Sequence, residues 1–246
     1  MPVPSPLPDR RSGGRLCDRL ITLAATPDDA STVATDLIVI AQLAADLLGA
    51  VSYASITGCA AEGRVTVAAS SDLAVAVDEA QYADDAGPCL QALAGGRPVA
   101  VPDIAAIVPW PRFREVAAGL GLRASLSLPL FAARGGPIAA LNLYSHDGAR
   151  MGELIAAVRP VYEGLDEGPE EDAAPRGRLD AGDEELVAGL TGASAVRSSI
   201  EQALGVVMSI TGQAPEGAYA ALRSHAAEAG VTLTEMAGRL AAGQRW

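Results

Sequence analysis

Between Glu163 and Glu185 the chain concentrates ten acidic side chains, four glycines and two prolines, with almost no large apolar residue among them. Such a stretch buries too little apolar surface to offset the entropy of ordering it. It is therefore expected to be an acidic linker, residues 163–185, and whatever folds must fold on either side of it. That divides the chain into a larger piece, residues 15–162, and a smaller one, residues 186–246. The start is a further exception: Pro2, Pro4, Pro6 and Pro8 precede Arg10 and Arg11, so residues 1–14 read as a disordered tail.

The charge follows the same division. Residues 1–162 hold 12 Arg and 16 acids, 163–185 hold two Arg and 10 acids, and 186–246 hold four of each. The net charge of −12 thus lies mostly in the linker, and the C-terminal piece carries no acidic field to repel a nucleic acid. All the basic side chains are arginines.

Several broad classes are excluded early. The longest apolar candidates, such as Leu37 to Leu48, are broken by Gln42 and Asp46 and are too short to span a bilayer. The N-terminus has charge but no apolar core for export, so a cytoplasmic setting with no membrane partner is expected. Cys17, Cys59 and Cys89 are odd in number and widely spaced, which fits reduced thiols rather than a disulfide framework or a metal site. His146 and His225 have no partner at metal-ligand spacing and are expected at the surface, so neither metal nor cofactor is expected. No phosphate loop, zinc-protease helix or nucleophile elbow is present, and no catalytic residue is assigned.

In the larger piece, helical periodicity from Leu16 to Leu48 breaks at Pro27, giving two helices with Thr26 as the expected N-cap of the second. Val51 to Ile56 and Arg64 to Ala69 then read as paired strands around Ala61-Glu62-Gly63. A helix near Asp72 to Tyr82, another opened by Gly87-Pro88, and a third over Pro111 to Leu120 are interleaved with strands at Arg97 to Val101, Leu122 to Phe131 and Ile138 to Tyr144. Hairpins with inserted helices suit an α+β domain with an antiparallel sheet flanked by helices.

In the smaller piece, Val196, Ile200, Ala203, Leu204 and Val207 recur at helical spacing as far as Ile210, and Thr211-Gly212 ends the run. Pro215 opens a second helix carrying Tyr219, Leu222 and Ala226. Gly230 closes it, and Thr232-Leu233-Thr234-Glu235 offers a capping box for a third. The expectation is a three-helix all-α module, in which the stripe on residues 196–210 needs cover from a second copy of the chain.

The run Asp78-Glu79-Ala80-Gln81-Tyr82, then Gly87-Pro88-Cys89-Leu90-Gln91-Ala92-Leu93 and Arg97-Pro98-Val99, resembles the GAF sensor domains of actinobacterial regulators. Trp110-Pro111-Arg112-Phe113, Leu126-Ser127-Leu128-Pro129-Leu130 and Leu141-Asn142-Leu143-Tyr144-Ser145 extend the resemblance in the same order. Likewise, Ile200-Glu201-Gln202-Ala203-Leu204-Gly205-Val206-Val207-Met208, with Ala218-Tyr219 and Leu222-Arg223 following, resembles the ANTAR domain, an RNA-binding antiterminator module. The resemblance implies a homodimer that binds hairpins in leader transcripts and responds to a small-molecule or protein signal at the GAF half.

The chain departs from the ANTAR pattern at Leu204, where the family usually carries Lys, and at Ser209 and Ile210. Arg197, Arg223, Arg239 and Arg245 are then the candidates for phosphate contacts, with Arg197 and Arg223 expected on one side of the module. Gly205 admits a close neighbour, and helix packing is the favoured use. In the sensor half, Tyr53, Tyr82, Cys89, Trp110, Phe113 and Tyr144 are the candidate lining of a ligand pocket. Two other functions compete. A thiol reductase of free methionine sulfoxide would need Cys59 and Cys89 near each other; a dimerisation or docking protein that has lost RNA binding would show no arginine cluster.

Overall fold

Alternation along the strands decides the architecture. Ala54 and Ile56 on one strand, and Leu141 and Leu143 on another, are fully buried, and so are their intervening neighbours Ser55, Thr57, Asn142 and Tyr144. A sheet buried on both faces needs helices on both, and the computed structural model, which describes residues 16–60, 63–163 and 179–243, provides them. Strands β1 (Tyr53–Ala60), β2 (Gly63–Ala69), β3 (Val99–Val101), β4 (Ala124–Leu130) and β5 (Ala139–Ser145) form one antiparallel sheet in the order β2-β1-β5-β4-β3. The expected α+β class is borne out.

One face is apolar. Ala54, Ile56, Leu126, Leu128, Leu141 and Leu143 pack beneath helices α1 (Leu16–Ala25) and α2 (Val33–Leu47), and α6 (Gly148–Glu163) closes the same core through Met151, Leu154 and Val158. The opposite face is polar and lies under α3 (Asp72–Ala83), α4 (Pro88–Gly95) and α5 (Pro111–Gly119). Pro88 and Pro111 stand at the helix starts, where proline's missing N–H costs nothing.

The second helix begins six residues later than the break at Pro27 suggested. Thr32 occupies its N-cap position, whereas the Thr26 hydroxyl donates back to Thr22 O at 2.7 Å and so belongs to the end of α1. A Thr hydroxyl bonding four residues back satisfies itself within the preceding helix and leaves nothing to cap the next.

The C-terminal helices are α7 (Ala181–Thr211), α8 (Pro215–Glu228) and α9 (Leu233–Ala241). Ile200, Ala203, Val207, Tyr219, Leu222, Met236 and Leu240 form their common core. Gly212 closes α7 in the left-handed conformation that a residue without Cβ adopts freely, and the capping box of α9 is present, with Glu235 N donating to Thr232 Oγ1 at 3.1 Å.

Two expectations need correction here. Residues 181–185, counted with the linker, are the first turns of a 31-residue helix. Their acids read as linker charge, but Asp183 and Glu184 sit at a helix N-terminus, where the macrodipole favours negative charge, and Asp180 caps Gly182 N and Asp183 N. Residues 164–178 of the acidic stretch, and the tail before Leu16, lie outside the described residues. Second, the stripe on residues 196–210 is covered within the chain by α8 and α9, so it does not by itself call for a second copy. Val206 and Ile210 stay exposed at its edge.

The first half of α7 joins the sensor core rather than the C-terminal one. Leu186 and Leu190 pack among Leu16, Leu20 and Leu23. Gly189 and Gly192 make the approach close: a Cβ on Gly189 would stand 2.8 Å from Leu20 Cδ1 and 2.9 Å from Cys17 Cα, and one on Gly192 would strike Ile21.

Candidate functional site

The polar face of the sheet gathers a sealed hydrogen-bond network around Asp78. Its carboxylate accepts from Tyr144 Oη at 2.6 Å, from Thr66 Oγ1 at 2.9 Å and from Asn142 Nδ2 at 3.2 Å. Asn142 also donates to Thr57 Oγ1, whose other neighbour is the Tyr82 hydroxyl at 2.8 Å. Gln81 links the network to α4: its Nε2 donates to Tyr144 and its Oε1 accepts from Cys89 N at 3.0 Å. Asp78, Gln81, Asn142 and Tyr144 are all essentially without solvent contact.

Burial governs the protonation of these groups. Removal from water pushes the Asp78 carboxyl up to about 6 despite its donors, and pushes the Cys89 thiol up to about 12. The hydroxyls of Tyr82 and Tyr144 are raised as well, first by burial and then by the neighbouring Asp78 charge. Cys89 at a helix start is therefore a packed, protonated thiol, because desolvation outweighs the helix dipole.

The six aromatic and thiol candidates do not share one pocket. Tyr82, Cys89 and Tyr144 surround Asp78; Trp110 and Phe113 meet edge to face with centroids 6.4 Å apart under α5; Tyr53 stands against His146 at 5.5 Å. Three cavities among the described residues open elsewhere, along α6, α7 and the apolar face, and none of these is lined by any of the six. His146 is exposed as expected, whereas His225 is half-buried. Asp78, Gln81, Thr66 and Asn142 were missed as a cluster. The available signal was period-two alternation that put Ser55, Thr57, Asn142 and Tyr144 on one face.

The arginine candidates of the C-terminal module also turn out differently from expectation. Arg197 and Arg223 do share a side, but that side faces the sensor half. Arg197 reaches the loop between β4 and β5, donating to Ala132 O at 3.2 Å and Gly135 O at 3.1 Å, pairing with Glu201, and stacking 4.1 Å above the Phe131 ring. Only 17% of its side chain is exposed. Arg223 donates from Nη1 to both carboxylate oxygens of Asp29, at 3.0 and 2.9 Å, and this charged hydrogen bond holds Asp29 below the usual carboxylate range.

The same loop enters the C-terminal module. Ala133 is fully buried in the core of α7, α8 and α9, and its N–H donates to Thr26 O at the end of α1. Arg134 stacks 4.8 Å over the Tyr219 ring and pairs with Asp28. Of the remaining candidates, Arg239 is exposed on α9 and Arg245 lies outside the described residues. Gly205 is exposed with nothing within 4 Å of a notional Cβ, so no helix among the described residues packs there. Asp29, Phe131 and Arg134 could not be picked out from sequence, because their partners are some 60 to 200 residues away in the chain and only the fold supplies them.

Among the described residues no helix is long and apolar enough to cross a membrane, and no group of three His, Cys, Asp or Glu side chains is placed to hold a metal. Residues 31–157 match the family model of the GAF domain, and residues 188–240 match that of the ANTAR domain. No curated protein matches the chain.

Proposed function

The chain belongs to the GAF domain family, with an ANTAR domain following in the same chain, and on that premise we propose that it is a signal-responsive antitermination regulator held in a docked, RNA-masked state. The carrying observation is that Arg197 and Arg223, two of the four cations of the C-terminal piece, are spent on Ala132, Gly135 and Asp29 of the sensor half. Phosphate affinity rests largely on arginines and lysines displacing counterions, so a module with half its cations engaged is a poor RNA ligand until they are released. A signal that loosens the contact frees both. The released module then binds hairpins of a leader transcript, as a homodimer for which exposed Val206 and Ile210 on α7 supply apolar contact.

The thiol-reductase alternative has less support. Cys89 has no solvent contact and a thiol pushed up to about 12, whereas a nucleophilic cysteine needs access and a depressed pKa.

The test begins with RNA recovered on the protein from its own cells, sequenced to identify enriched hairpins. Asp29→Ala should then bind such a hairpin more tightly than wild type at low salt. Adding Arg223→Ala to that variant should weaken binding and flatten the salt dependence by about one unit of slope. If Asp29→Ala prefers no hairpin to random RNA, the RNA assignment falls and the C-terminal helices are a docking unit.

A further inference from the structure

Each half of the molecule brings a distinct set of groups to their contact. The sensor half supplies an aromatic ring, a carboxylate and a small apolar plug: Phe131, Asp29 and Ala133. The C-terminal helices supply two guanidiniums and a second ring: Arg197, Arg223 and Tyr219. Arg197 lies over the Phe131 ring, 4.1 Å from its centroid, while two of its nitrogens donate to the carbonyls of Ala132 and Gly135 in the same loop. Arg223 holds Asp29 and stands 5.7 Å from the centroid of the Tyr219 ring, which Arg134 approaches from the sensor half at 4.8 Å. One group is left unmet. Tyr219 is 3% exposed, and among the described residues its hydroxyl has no hydrogen-bond partner. A buried hydroxyl without a partner forfeits the bonds it made to water, so the docked loop is an incomplete ligand for this surface.

We propose that Arg197, Tyr219 and Arg223 form the RNA site of the C-terminal module and that the sensor half fills it as a stand-in for a hairpin loop, Phe131 in place of an unpaired base and Asp29 in place of a phosphate. The inference rests on the RNA-masking reading and adds which surface is masked and by what chemistry. An unpaired base is held by stacking on aromatic rings or guanidinium planes and by hydrogen bonds to the acceptors on its edges. A phosphate is held by arginine through charged hydrogen bonds. Ring, carbonyl acceptors and anion are the three features that the sensor half presents to this surface. Bases inside a stem are stacked on one another and cannot reach a side-chain ring, so the ligand is a loop base and its neighbouring phosphate, with the Tyr219 ring as its stacking platform.

Loop and RNA then exclude one another from a single surface. Ala133, fully buried in the core of α7, α8 and α9, must leave before a base can approach Tyr219. A ligand that binds only the open state shifts the population toward it, and the coupling is reciprocal. Transcript and signal therefore act in the same direction, each making the other's task easier.

The test uses the full chain and an enriched hairpin carrying the fluorescent base 2-aminopurine at each loop position in turn. With the opened Asp29→Ala chain, binding should quench the probe at one loop position at least, as stacking on a ring does. Adding Tyr219→Leu should abolish that quench and weaken binding about tenfold or more, with circular dichroism confirming that the fold is kept. Adding Tyr219→Phe instead should keep the quench, because the ring remains, and decides the matter if the leucine variant does not fold. In the otherwise wild-type chain, Phe131→Leu should tighten hairpin binding about threefold or more, since it removes a competitor of the RNA and no part of its site. A quench that survives in a folded Tyr219→Leu, no quench at any loop position, or an affinity unmoved by Phe131→Leu overturns the mimicry. If Asp29→Ala still tightens binding and Arg223→Ala still weakens it, the masking reading survives that failure. If Asp29→Ala prefers no hairpin to random RNA, both fall together.

Discussion

The seam between α1 and α7 offers one substitution with two opposite outcomes. Gly189 and Gly205 both lie inside α7, sixteen residues apart, and at either position alanine gains about 1 kcal/mol in helix propensity. At Gly205 a Cβ meets nothing, so Gly205→Ala should keep the whole gain. At Gly189 the Cβ would stand 2.8 Å from Leu20 Cδ1 and 2.9 Å from Cys17 Cα. The Leu20 methyl can rotate aside, but Cys17 Cα moves only with α1. Overpacking of this kind costs about 1–3 kcal/mol, which cancels the propensity gain and leaves Gly189→Ala unchanged to about 2 kcal/mol less stable. For a chain of this length 1 kcal/mol corresponds to roughly 2–4 °C in Tm, so thermal and urea unfolding should separate the two variants by several degrees, Gly205→Ala above wild type and Gly189→Ala at or below it. Equal stabilisation by both would refute the close approach of α1 and α7, and with it the assignment of the first half of α7 to the sensor core.

Two further outcomes follow from single groups. The Asp78 carboxyl, at about 6, sits above the ordinary 3.8, so near pH 5 the folded state holds a proton that the unfolded chain does not; this group's destabilising effect grows as pH rises from about 4 and is complete above about 6, where it amounts to about 3 kcal/mol. Asp78→Asn should thus gain on wild type between pH 5 and pH 7 in urea unfolding, with Asp183, which titrates in the same window, cancelling in the comparison; a difference independent of pH would contradict the buried charge. Thr232→Ala removes the side-chain acceptor of the α9 capping box and should cost about 1 kcal/mol. Hydrogen exchange should show the loss as faster opening of α9, and unaltered protection there would show that the cap contributes nothing.

Much of this protein is determined by local order in its sequence. The strands β4 and β5, the helix starts at Pro88, Pro111 and Pro215, the stop at Gly212 and the capping box at Thr232 are all local signals, because proline, glycine and short polar side chains act on the backbone within a few residues. Residue order also carries the resemblance to the two families. What it cannot carry is the identity of each partner across the chain. The acids at Asp183 and Glu184 look like linker charge until a helix begins beneath them, and Arg197 and Arg223 look like nucleic-acid contacts until the β4–β5 loop and Asp29 meet them. Asp78 is an ordinary helical carboxylate in sequence and a group titrating near 6 in the fold, because its shift comes from the solvent that α3 and the sheet exclude. Local conformation follows from neighbours in the chain, whereas burial, pairing and the contact between the two halves exist only after distant segments have packed, and the function proposed here depends on those.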